Sequence, residues 1–105
     1  MNSTIESLYQ RKSVRVFEDR EISAQDKAMI LKSAVMAPTA GNQQLYTILD
    51  ITDPAVKARL VETCDHQPFI ADAKLVLIFC ADCRKWYDAF LSAGCQPRLP
   101  GVGDL

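Results

Sequence analysis

The run Lys74-Leu-Val-Leu-Ile-Phe-Cys80 constrains the fold of this 105-residue chain more than any other segment. It is the strongest strand in the sequence. Apolar residues stand at both odd and even positions, a pattern that predicts burial on both faces of a sheet. Only one other segment, Leu45-Tyr-Thr-Ile-Leu-Asp-Ile51, is comparably rich in strand formers. Two strands make a poor sheet alone, because three or more with a covered face are usually needed. The chain is therefore expected to need structure that these residues do not supply.

Helical signals surround the two strands. Ile5, Leu8 and Tyr9 recur at helical spacing behind Asn2 or Ser3 as N-cap, predicting a short helix that ends near Gln10. An extended stretch follows, with Val16-Phe17 as a small anchor and a turn at Asp19-Arg20-Glu21. Ser23 with Asp26 resembles a capping box with a shorter acid. Ala28, Ile30, Leu31, Ala34 and Val35 then predict a helix over about 24–36, with Pro38 helping to stop it. Asp53-Pro54 is an N-cap followed by an N1 proline, opening a helix that carries Val56, Leu60, Val61 and Cys64. Asp65-His66-Gln67-Pro68 interrupts it, so His66, the one histidine, reads as a loop residue. Phe69–Ala73 reads as a short helical turn. Trp86, Tyr87, Phe90 and Leu91 mark a last helix, where aromatics at that spacing read as packing. Residues 94–105 hold three Gly and two Pro and read as a loop-like tail. The order α-α-β-α-β-α, without internal repeats, predicts a single α/β or α+β domain over 1–105.

Charge and composition narrow the function. Twelve basic against thirteen acidic residues leave a net charge of −1, which disfavours a nucleic-acid binder with its net basic face. No apolar run reaches the roughly 18–20 residues that span a bilayer. The opening Met-Asn-Ser-Thr-Ile-Glu has neither charged leader nor apolar h-region, so a cytoplasmic protein is expected. Cys64, Cys80, Cys83 and Cys95 are then expected as thiols. Cys80-Ala-Asp-Cys83 matches C-x-x-C, a spacing used by redox pairs and half zinc sites. No second half with regular spacing accompanies it, so it reads as one buried and one partly exposed thiol.

Two polar segments remain. In Arg11-Lys12-Ser13-Val14-Arg15 an extended backbone sends Arg11, Ser13 and Arg15 to one face. Two guanidinium forks and a hydroxyl converging there suit a phosphate or a polar ring edge. A solvated basic turn after a helix is the other reading of the same residues. About 25 residues on, Ala37-Pro-Thr-Ala-Gly-Asn-Gln-Gln44 forms a loop of small and polar residues. Together the two segments suit a phosphorylated planar ligand.

These segments, with Ile30-Leu31 and Ala34 between them, resemble the nitroreductase family of flavin enzymes. Gln67 ahead of Ala71-Asp-Ala73, and Leu77-Ile-Phe-Cys-Ala-Asp82, extend the likeness from about residue 4 to 104. Gln44-Leu45-Tyr46 stands where the family often has Gln-Pro-Trp. The family's proteins are about twice as long, so the chain looks like an N-terminal half. The resemblance implies an α+β helix-and-sheet sandwich, here incomplete with about two strands and four or five helices. It implies a homodimer holding FMN at the subunit interface, with a separate chain supplying the missing half as another arrangement. By similarity, Arg11 and Ser13 would hold the FMN phosphate with Lys12 nearby, and Arg15 would reach the pyrimidine edge. A cation there would stabilise charge developing around N1 and the C2 carbonyl. Pro38, Thr39, Ala40 and Asn42 would approach the flavin of the other subunit, and Gln67 would hydrogen-bond the ring edge. Hydride would pass from NADH or NADPH through flavin N5 to a nitroaromatic, quinone or similar acceptor. The cofactor carries that chemistry, so no catalytic acid, base or nucleophile and no metal ligand is assigned. A truncated, non-catalytic module that binds flavin or a phosphate ligand, or serves as an interaction module, is the alternative.

Overall fold

Three of the five helices among the described residues start where a side chain can satisfy an amide left over at the helix N-terminus. The computed structural model describes residues 1–98 of the chain. Helix α1 spans Ser3–Gln10, with the Asn2 side chain accepting from the Ile5 amide at 3.0 Å. Helix α2, Ala24–Val35, starts at Ser23, whose hydroxyl takes the Asp26 amide at 3.0 Å. Helix α3, Pro54–Thr63, has Pro54 at its first turn and Asp53 accepting from Ala55 at 2.8 Å. Helix α4 is the single turn Phe69–Asp72. Helix α5 runs over Arg84–Ser92.

Strands β1, Tyr46–Asp50, and β2, Leu77–Ala81, pair antiparallel as the one sheet among the described residues. The register sets Tyr46 opposite Ala81, Ile48 opposite Phe79 and Asp50 opposite Leu77, with Thr47–Cys80 and Leu49–Ile78 on the other face. Among the described residues, five helices with a two-stranded antiparallel sheet make the fold α+β, as expected. The described part of the tail, residues 94–98, is loop, and 99–105 lie outside the described residues.

One expectation fails. β2 begins at Leu77, three residues later than the apolar run suggests, and neither face of it is buried. Phe79 keeps 61% of its surface exposed and Leu49, on the opposite face of the sheet, 43%. Lys74 is drawn off toward Asp19 and Glu21 at 2.7 and 3.5 Å. Cys80, read as buried, is only half-buried. The apolar run records what the strand is suited to lie against; among the described residues the cover is partial, leaving Leu77, Ile78 and Cys80 half-buried. No described residue is fully buried anywhere in the chain. Among the described elements, only β1 with β2, and α3 with α4, bring their backbones within 8 Å of each other. Helix α2 is tied by the Lys27–Asp50 ion pair, and α5 by Lys85 to the Tyr46 carbonyl and Trp86 to the Gln43 carbonyl.

Candidate functional site

The basic segment is an arm between α1 and α2. Arg11 leaves the helix in extended geometry (φ −61, ψ 146), its amide still bonded to the Ser7 carbonyl at 3.0 Å. From there residues 11–18 carry no helix or strand, and every residue of the arm is exposed. No carboxylate among the described residues pairs with Arg11, Lys12 or Arg15, whereas Arg20, Lys27, Lys74 and Arg84 each meet one. The arm is fixed further on. Phe17 meets Phe69 edge to face at 6.2 Å between ring centres, and Lys74 grips Asp19. That contact holds the Asp19 carboxyl below its usual range and lifts Lys74 above its own. The expected anchor is thus half right: Phe17 packs, while Val16 stays 87% exposed.

The loop between α2 and β1 folds into a 3₁₀ turn over Ala40–Asn42. Gly41, Asn42 and Gln44 take φ of 57, 53 and 53, the left-handed region that costs a side-chain-bearing residue about 1–2 kcal/mol. Local bonds support it: the Asn42 amide donates to the Thr39 carbonyl at 3.0 Å, and the Gln44 amide to the Thr39 hydroxyl at 3.2 Å. Distant residues complete the frame. The Trp86 indole N–H donates to the Gln43 carbonyl at 2.6 Å, and the Asp82 amide to the Leu45 carbonyl at 3.0 Å.

Behind the loop lies a polar knot. Asp82 accepts the Thr47 hydroxyl and the Lys85 amide, the latter at 3.2 Å, and so caps the start of α5. Lys85 crosses the Tyr46 ring at 5.3 Å from its centre and donates to the Tyr46 carbonyl at 2.6 Å. The Thr47 hydroxyl, aided by the Lys85 amide and charge against the cost of partial burial, holds the Asp82 carboxyl below its usual range. The sequence assigns no role to Thr47, Asp82 or Lys85 and reads Trp86 as packing, whereas its indole N–H holds the Gln43 carbonyl. An aspartate just ahead of a helical run is a cap signal that marks Asp82; Trp86 has no comparable signal, since its partner lies 43 residues away.

The nine residues named from the resemblance fall into three places. Arg11, Lys12, Ser13 and Arg15 share the arm. Pro38, Thr39, Ala40 and Asn42 share the left-handed loop. Gln67 follows the left-handed pair Asp65 and His66, its side-chain amide donating to the Cys64 carbonyl at 2.8 Å. Two open grooves flank the arm. The larger, about 720 Å³, runs from Val14 through Phe17 and Ile22 to Leu75. The other, about 590 Å³, takes in Arg15, Lys57 and Ala71–Lys74. Of the nine residues only Arg15 lines either groove, and no loop residue does. FMN fits the donor types present: cations without carboxylate partners for a phosphate, and an exposed loop whose amides and Asn42 side chain can meet a heterocycle edge. All four cysteines are free thiols, and the described residues hold no cluster of three or more metal-ligating side chains.

Comparison with known proteins places this geometry. The Nitroreductase family profile matches residues 8–96. An FMN reductase (NADPH) of Bacillus subtilis (strain 168) is 34% identical over 82 residues, covering 78% of this chain and 33% of its own. The solved structure of B. megaterium NfrA2 superposes with a TM-score of 0.84 at 30% identity, over 94% of this chain and 40% of that one. The NfrA1 nitroreductase from B. subtilis superposes equally well, at 28% identity over 90% and 38%. The chain thus spans between a third and about half the length of the curated relatives it matches first. Sequence profile, identity and superposition agree, and the chain belongs to the nitroreductase family.

Proposed function

We propose that this chain supplies the FMN-holding frame of an NAD(P)H-dependent oxidoreductase acting on nitroaromatics, quinones or similar acceptors. One observation carries the proposal: the exposed row Arg11, Lys12, Ser13 and Arg15, whose cations have no carboxylate partner among the described residues. Arg11 and Ser13 take the FMN phosphate, with Lys12 adding charge, because guanidinium and hydroxyl donors match phosphate oxygens. Arg15 faces the pyrimidine edge, where a fixed cation favours the charge of the reduced ring. Pro38, Thr39, Ala40 and Asn42 present small side chains and backbone to a flavin carried by a second chain, a homodimer being the arrangement proposed. That reading is supported by the separation of loop from arm: neither groove flanking the arm includes a loop residue. Gln67 offers its side-chain oxygen to the ring edge while its amide stays on Cys64. Bound FMN supplies hydride acceptance from NADH or NADPH and hydride delivery to the acceptor. A cytoplasmic location, consistent with four free thiols, belongs to the same proposal.

The test is FMN affinity in the Arg11→Ala variant, by quenching of flavin fluorescence. Binding is expected to weaken by about 1.5–3 kcal/mol, the worth of a hydrogen bond to a charged group. Unchanged affinity removes the phosphate assignment. A second reading, a flavin-binding module without turnover, is favoured by the absence of any fully buried described residue, since a flavin left open to water lacks the enclosed site that hydride transfer uses.

A further inference from the structure

The loop Thr39–Gln44 combines two non-glycine residues in left-handed geometry with few ties to the rest of the molecule. Such strain persists only where surroundings over-determine it. Most of its bonds are internal: Asn42 to Thr39, Gln43 to Ala40 and Gln44 to the Thr39 hydroxyl. These close the turn on itself and leave its orientation open. Two bonds reach it from outside: the Tyr46 amide, next along the chain, donates to the Gln44 carbonyl at 2.7 Å, and Trp86, from a distant element, donates its indole N–H to the Gln43 carbonyl at 2.6 Å. Trp86 sits in the first turn of α5, and α5 packs its backbone on no other element. Its position is set instead by Asp82 capping Lys85 and by Lys85 holding the Tyr46 carbonyl. The path from β1 through Asp82 and α5 to Gln43 is therefore continuous.

We propose that Trp86 is a positioning residue, whose indole N–H orients the Thr39–Asn42 turn so that its backbone and the Asn42 amide meet the flavin. The role rests on the FMN reading above and deepens it. It depends on the N–H, not on ring packing. Trp86 keeps 43% of its surface exposed, and its neighbour Phe90 lies tilted at 6.2 Å between ring centres. Trp86→Phe keeps most of the bulk and removes the donor, whereas Phe90→Leu alters the packing and keeps the donor.

Amide hydrogen exchange and FMN titration of the full chain separate the possibilities. In Trp86→Phe the Gln43 and Gln44 amides should exchange about two- to tenfold faster, the range one lost hydrogen bond allows. FMN affinity should fall by a similar factor, the visible band of the remaining bound flavin should shift, and Phe90→Leu should do none of these. Unchanged exchange in Trp86→Phe overturns the proposal. So does faster exchange with unaltered FMN affinity and band position, or an equal effect of Phe90→Leu. A wild-type chain that takes up no FMN overturns this role together with the function on which it rests. The wild-type titration tells that failure apart from a failure of Trp86 alone.

Discussion

Gly41 and Asn42 stand side by side with φ of 57 and 53, and only one of them adopts that geometry without cost. A Cβ at Gly41 would meet nothing closer than the Gln43 Cγ at 3.7 Å, an ordinary contact. The penalty of Gly41→Ala is thus conformational, about 1–2 kcal/mol, and urea unfolding should report that loss. A neutral result would mean that the turn does not hold its left-handed form in solution. The sequence shows this loop as small and polar, and Gly41 marks a turn. Nothing in it shows that Asn42 and Gln44 join the left-handed region. Their conformation depends on Thr39 and on Trp86, a partner distant along the chain. Of the basic arm, the sequence shows what is local: a stretch after α1 without helix or strand whose cations stay exposed.

At the scale of elements, capping chemistry decided three of the five described helix starts. Asn2, Ser23 and Asp53 start α1, α2 and α3 where their side chains predict. The ties between elements were not legible: Lys27 to Asp50, Lys74 to Asp19 and Thr47 to Asp82 join residues far apart and leave no periodic trace. The last has a pH consequence. Asp82 is held below its usual carboxyl range in the folded chain, so its contribution is complete above the unfolded carboxyl pKa of about 3.9. It is lost as pH falls through the lower folded value. Thr47→Val removes the hydroxyl that lowers it. The variant should be less stable than wild type at neutral pH and converge with it under strong acid, read by circular dichroism across an acid titration. A constant gap at every pH would show that the hydroxyl acts without Asp82.

On the whole-molecule scale the chain is an open frame. Its radius of gyration is 18.1 Å, against about 13 Å for a compact domain of some 100 residues. Leu8, Tyr9, Met36, Phe79, Trp86, Phe90 and Leu91 expose large apolar surfaces. The shortage of strands foretold this; the two-faced apolar pattern of β2 did not, because a hydrophobic pattern reports suitability for burial and not its occurrence. Frames with such patches associate. Sedimentation should show mass rising with concentration, and Phe79→Ser should reduce it by removing the most exposed large apolar residue of the sheet. A monomer at all concentrations, unaffected by Phe79→Ser, would contradict the account. Association would supply the second chain that the proposed flavin site requires.

FMN binding by this chain is the proposal on which the others rest. The direct measurement is the visible absorption spectrum of the purified chain, before and after incubation with FMN and desalting. Flavin bands that survive desalting, and bleach when NADH or NADPH is added without oxygen, are the predicted result. Bands that survive but do not bleach would leave binding without turnover. A chain that stays colourless after incubation with FMN would contradict the account.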